Sequence, residues 1–192
     1  MDETSKHKTM EILAGPNGSG KTTLSDLLLK KVGKFRFVNA DSIANGLDAS
    51  SDGAEITAGR VMLKQINESL NEGVSFAFET TLSGRIWLEY IKRAKSLGYQ
   101  VVIYLVLVKD VDLAVKRVAE RVACGGHNVP AETIMRRYRR SKELFDSLYS
   151  KVCDKWYIFD NSDGSAEMVA KKENGSMVIL NESKYQSLMI NN

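Results

Sequence analysis

Residues Gly15-Pro-Asn-Gly-Ser-Gly20-Lys21-Thr22 fit the spacing G-x-x-x-x-G-K-[ST], with an apolar run before them and a helical pattern after. That setting turns a weak pattern into a specific one. Small residues let backbone N–H groups converge on a phosphate, and the helix that follows points its unpaired N–H groups and positive dipole end at the same anion. Gly15, Asn17, Gly18, Ser19, Gly20, Lys21, Thr22 and Thr23 are therefore the expected phosphate contacts. Lys21 reaches the terminal phosphates, and the Thr22 hydroxyl is the candidate ligand for Mg²⁺.

Two carboxylates and a set of arginines extend the chemistry. Asp41 and Glu79 each close an apolar run, and in an open parallel sheet ligands gather beyond the C-terminal strand ends. A carboxylate there accepts the proton of an attacking hydroxyl or positions a metal-bound water. Asp41 also reads as a plain helix cap. Between Lys116 and Lys142 stand eight basic and two acidic residues, a local 8 − 2 = +6 in a chain of net charge +3. Arg117 and Arg121 lie one helical turn apart. "ACGGHNVP" then breaks the helix, and Arg136, Arg137, Arg139 and Arg140 follow on a new one. Arginines on a hinged flap can close over a triphosphate and neutralise charge in the transition state. Two or three of these six are expected to be catalytic and the others to bind substrate phosphate or solvate the helix, with Arg117 on the nucleotide. His127 reads as a loop hydrogen-bonder.

The elements that must position these groups alternate along the chain. Strands are expected at "TMEILAG", "FRFVNAD", "SFAFETT", "YQVVIYLVLV" and "KWYIFDN". Helices are expected at "TTLSDLLLKKVG", from a capping pair Asp52/Glu55 to Gly73, at "RIWLEYIKRAKSLG", at "DVDLAVKRVAERV" and after Pro130. In the second of these, Gly59, Leu63, Ile66 and Leu70 fall on one face. The alternation predicts an α/β fold, a mainly parallel five-stranded sheet with helices on both faces. Asn174-Gly175 between two β-prone runs predicts a hairpin at the sheet edge, and "ESKYQSLM" a short last helix. The lid covers about residues 121–141 and the hairpin with its helix about 165–190 of one single domain.

Composition bounds the partners. The chain has 192 residues, 43% apolar and 27% charged, as in an ordinary globular domain. No run is long enough to span a membrane. "MDETSKHKTME" is too polar and acidic for a signal or transit peptide, and Cys124 and Cys153 read as reduced thiols, so a cytoplasmic protein is expected. No Asn-Lys-x-Asp stretch reads guanine, which favours ATP. Asp160 closes a late strand and is a weaker nucleotide or metal candidate. A nucleic-acid partner is disfavoured because Tyr138 is the one aromatic among the arginines, and bases need rings to stack on.

Together "AGPNGSGKTT", "FVNADSIA", "FAFETTLSGR" and "RVACGGHNVPAETIMRRYRRS" resemble the zeta-toxin family of P-loop kinases, from about Met10 to Asn161. The resemblance implies a P-loop kinase fold with an arginine-bearing lid, and transfer of the ATP γ-phosphate to the 3′-hydroxyl of the amino sugar in UDP-N-acetylglucosamine. It implies Asp41 as general base, Lys21 and Thr22 as phosphate and Mg²⁺ residues, Arg121, Arg136 and Arg137 as the candidate catalytic arginines of the lid, and Glu79, Thr80, Thr81 and Arg85 in the substrate-binding stretch. The "GGHNVP" lid is similar to a solitary chromosomal branch rather than to the plasmid toxins. Family toxins pair with a small helical antitoxin over the nucleotide site. Two other readings stand beside this one: an ATP-gated binding module, and a kinase for another phosphorylated metabolite.

Overall fold

The computed structural model describes residues 8–25, 36–40, 43 and 54–190. Its centre is a seven-stranded sheet: β1 (Thr9–Ala14), β2 (Arg36–Val38), β3 (Phe76–Thr80), β4 (Gln100–Leu107), β5 (Lys155–Asp160), β6 (Glu167–Glu173) and β7 (Ser176–Ile179). The order is β2-β3-β1-β4-β5-β6-β7, the first five parallel and the last two antiparallel. The hairpin thus does not stand apart from the five-stranded sheet but extends it. Asn174 and Gly175 turn it with φ of 51° and 79°, the left-handed pair that a two-residue hairpin loop requires.

Five labelled helices are described: α1 (Ala54–Glu72), α2 (Trp87–Ser96), α3 (Val111–Ala123), α4 (Ala131–Leu144) and α5 (Glu182–Met189). Helical backbone also spans residues 21–25, directly after the glycine loop. Both sheet faces are covered, because successive side chains of a strand point to opposite faces. Met10, Ile12 and Ala14 of β1 join Ile66 of α1 and Ile91 of α2 in the main core, while Leu13 packs with Leu24 and Val106 in a smaller cluster on the other face.

Two details depart from the sequence pattern. In α1 the buried line is Ala58, Met62, Ile66 and Leu70, so Gly59 and Leu63 flank the contact face rather than form it. An i, i+4 row stacks on one side of a helix, and Met62 fills the sheet groove better than Gly59. Of the capping pair, Asp52 lies outside the described residues. The second departure is a π-helical turn, Phe145–Tyr149, that continues α4. It sends Phe145 edge-on to Trp156, with centroids 5.7 Å apart, and the Tyr149 hydroxyl to the carbonyl of Gly84.

Lys142 of α4 is only 6% exposed. Its amine has no hydrogen-bond partner among the described residues and lies 5.4 Å from the centroid of the Tyr138 ring. Burial holds its pKa below the ordinary lysine value of 10.5. Lys142→Met should raise stability at neutral pH by ~1 kcal/mol, the desolvation cost less the ring contact. Because the folded pKa is depressed, that cost is full below it and fades as pH climbs toward 10.5. Thermal melts at two pH values should show the variant's advantage at the lower one shrinking at the higher.

Candidate active site

The glycine loop leaves β1 between the ends of β3 and β4, where the sheet order sends successive connections in opposite directions, the crevice in which open α/β sheets bind ligands. Gly15 donates its N–H to the Thr80 carbonyl at 3.2 Å. A Cβ on Gly18 would fall 2.3 Å from the Ala114 carbonyl oxygen, and one on Gly20 would fall 2.0 Å from Asn161 Nδ2. Both have φ near +80° or above, so glycine is required twice over. Ser19 is fully buried; Thr22 and Thr23 are exposed on the first helical turn.

Lys21 folds back over the loop. Its Nζ donates to the Pro16 carbonyl at 3.1 Å and lies 3.6 Å from Glu79 Oε1, with side chains 8% and 9% exposed. The other Glu79 oxygen accepts from Asn39 Nδ2 at 3.1 Å. Glu79 therefore holds both the phosphate lysine and the end of β2. After it, Leu82 is fully buried with φ of 55°, a costly conformation for a non-glycine residue. Its N–H is taken by Thr80 Oγ1 at 3.1 Å, and Thr81 shares a 2.9 Å hydroxyl bond with Ser83. This turn faces Thr80 and Thr81 into the crevice.

α3, α4 and the loop between them form a helical hairpin with an apolar centre of its own: Val108, Ala114, Val118, Val129, Ile134 and Tyr138. Gly125 takes φ of 84°, and Gly126 lets the loop turn back on Arg121, where a Cβ would meet Arg121 Cγ at 2.6 Å. Arg121 donates to the His127 carbonyl at 2.9 Å. Arg137 donates to Asn17 Oδ1 at 3.1 Å and so reaches the glycine loop. The result is a cavity of about 490 Å³ lined by Lys21, Glu79 and Thr81 on one side, Arg121, His127 and Arg137 on another, and Ala58 and Met62 of α1 as an apolar wall.

Some expected residues lie elsewhere. Arg136 is exposed and Arg85 is exposed, and neither lines the cavity. Arg117 donates to the carbonyls of Asn161 (2.8 Å) and Ser162 (2.9 Å), so it clamps the loop after β5. Asp160 accepts from Ser162 and pairs with Lys184 at 3.5 Å, which ties it to α5. Asp41 lies outside the described residues; Ala40 before it lines the cavity. Sequence reasoning passed over Asn39, Met62 and Asn161. Asn161 is buried and donates to the Ser19 carbonyl at 2.8 Å, bracing the glycine loop from behind. Asn39 and Asn161 both stand at strand ends, a signal their sequence positions carried; Met62 carried none.

Comparison with known proteins bears on this geometry. The family model described as "Zeta toxin" matches residues 1–173. The chain belongs to the zeta toxin family. An uncharacterized protein of Haemophilus influenzae is 30% identical over 125 residues, 65% of this chain and 88% of its own length. The zeta toxin chain also overlays the crystal structure of AvrRxo1-ORF1:-ORF2 with ATP, with a TM-score of 0.75, 18% identity and 96% of the chain covered. It spans 64% of that longer chain. The PezAT chromosomal toxin-antitoxin system of Streptococcus pneumoniae matches with a TM-score of 0.65 and 16% identity, over 100% of this chain and 82% of that one. At such identities the likeness concerns the fold: this zeta toxin family member has the mainly parallel α/β fold of P-loop kinases, and its C-terminal hairpin continues the sheet.

Proposed function

We propose that the chain is a kinase that moves the γ-phosphoryl group of ATP to a hydroxyl of a small phosphorylated acceptor, a sugar nucleotide such as UDP-N-acetylglucosamine. One observation carries this reading: Lys21, the strand-end carboxylate Glu79 and the arginines Arg121 and Arg137 line a single cavity of about 490 Å³, a size typical of small-molecule sites. The nucleotide's phosphates lie against the loop N–H groups and Lys21. Arg121 and Arg137 neutralise the charge that develops as the bond to the β-phosphate oxygen breaks. The acceptor oxygen bonds to phosphorus, ADP leaves, and the hydroxyl proton passes to Asp41. Mg²⁺ would be held by the Thr22 hydroxyl together with the nucleotide and would supply charge neutralisation there.

ATP consumption with Mg²⁺, measured with and without UDP-N-acetylglucosamine and with product mass read in the same tube, tests the proposal. A product heavier by one phosphoryl group supports it. ATP binding without turnover on any phosphorylated sugar favours the ATP-gated binding module instead. Asp41→Asn should abolish transfer while ATP binding survives; unchanged turnover removes Asp41 as base. Arg137→Ala should lower kcat on the order of 10²-fold, whereas Arg136→Ala should change it less than about twofold; steady-state kinetics of the pair checks which arginine acts. Tyr138 is 3% exposed and donates its hydroxyl to Val108, so it offers no ring to a base, which weighs against a nucleic-acid acceptor. A protein partner of the antitoxin kind, over the nucleotide site, belongs to the same proposal, and co-purification tests it.

A further inference from the structure

The last strand of the sheet is unusually unguarded. β7 pairs with β6 in an unshifted register, Glu173↔Ser176 to Ala170↔Ile179, and as the terminal strand its other edge bears no neighbour among the described residues. Met177, Val178, Ile179 and Leu180 are 46%, 45%, 36% and 54% exposed. From Asn174 to Asn181 there is no charged residue and no proline, in a chain that is 27% charged. Exposed sheet edges are ordinarily blunted by lysine, proline, a bulge or a covering element. Here the register shift falls one strand further in, between Ile158 and Phe159 of β5, and leaves β7 regular.

We propose that this edge is the contact between two copies of the chain, with β7 pairing antiparallel to itself about a two-fold axis through Val178, so that the two sheets become continuous. A second copy is favoured by the self-complementarity of the segment. In that register Val178 faces the partner's Val178, Met177 faces the partner's Ile179, and Ser176 faces the partner's Leu180. Apolar meets apolar at Val178 on one face and at the two Met177/Ile179 pairs on the other, the small Ser176 meets Leu180, and no like charges are opposed. The α5 side adds continuity. Met177 borders a hollow of about 280 Å³ lined also by Phe145, Trp156, Tyr185 and Met189, and the partner's Ile179 arrives at its mouth. The strand is short, so the dimer is reversible and concentration-dependent rather than permanent. β7 lies at the opposite edge of the sheet from β2 and β3, and the glycine-loop cavity stays open in the dimer.

Sedimentation velocity over a wide concentration range tests this. The wild-type chain should pass from one to two copies, and Val178→Glu, which sets two carboxylates face to face on the axis while meeting Lys171 across β6 within each chain, should raise the dissociation constant at least about tenfold. Its melting temperature and ATP binding should be unchanged, which separates a lost interface from a lost fold. Val178→Cys in a Cys124→Ser background should form an intermolecular disulfide under mild oxidation, which requires the two strands to meet at that residue. A wild-type chain that stays monomeric throughout, as expected if the edge receives a foreign strand, overturns the proposal. So does a dimer that survives Val178→Glu intact.

Discussion

Lys21→Met should reduce phosphoryl transfer on the order of 10²–10³-fold and also destabilise the protein. The first effect follows from removing a preorganised cation from the developing charge of the γ-phosphoryl group. The second follows from the burial of its partner. Lys21 and Glu79 form an ion pair with side chains 8% and 9% exposed, and removing one member leaves a buried carboxylate held by Asn39 alone, a loss of about 3–5 kcal/mol. The double variant Lys21→Met/Glu79→Gln separates the two. It removes the unpaired charge and should recover most of the stability, while transfer stays lost. Urea denaturation and single-turnover transfer on the same three preparations make the comparison. Equal instability in the single and double variants would show that the pair does not hold the loop.

Gly15→Ala should be the most destabilising single substitution in the glycine loop. Its Cβ would fall 2.1 Å from the Val106 carbonyl oxygen, and its φ is +144°. Neither the end of β4 nor the loop can yield, because the Gly15 N–H is bonded to the Thr80 carbonyl on the other side. Crowding of rigid backbone added to a strained φ should cost about 3 kcal/mol or more. Gly98→Ala is the control: Gly98 also has a positive φ, +80°, but nothing lies within 4 Å of its Cβ position, so it should cost only about 1 kcal/mol. The difference between the two melting curves measures the crowding at the strand ends apart from the backbone strain. Equal losses would mean that the loop relaxes freely and that close approach to β4 is not why glycine stands there.

The pattern G-x-x-x-x-G-K-[ST] locates a phosphate site without tertiary information, because its physics is local: a strand, a turn with left-handed glycines, and a helix N-terminus. The parallel order of the first five strands was legible for a similar reason. β4, "QVVIYLVL", has no polar alternation, and only a strand covered on both faces tolerates that. Asn174-Gly175 named its own turn, since both residues must take positive φ.

The lid arginines show where local reasoning stops. Four arginines follow within five positions of one another in α4, and helical spacing alone leaves open which side turns inward. Ile134 and Tyr138 decide it by burying themselves against Val108, Ala114 and Val118, which rotates Arg137 onto Asn17 and leaves Arg136 in solvent. Arg117 was withdrawn from the cavity by two carbonyls of a loop 44 and 45 residues away in sequence. Asn161 is likewise 142 residues from the serine it braces.

By itself, then, the sequence determined what the site binds first and which residue types surround it, because phosphate recognition is written in adjacent residues. Only the tertiary structure decided which of those residues meet. Glu79 on Lys21, Arg137 on Asn17 and Met62 on the cavity wall are pairings between distant segments, settled by how each helix turns to bury its apolar side. The same rule left β7 uncovered, because nothing after it in the chain packs along its outer edge among the described residues.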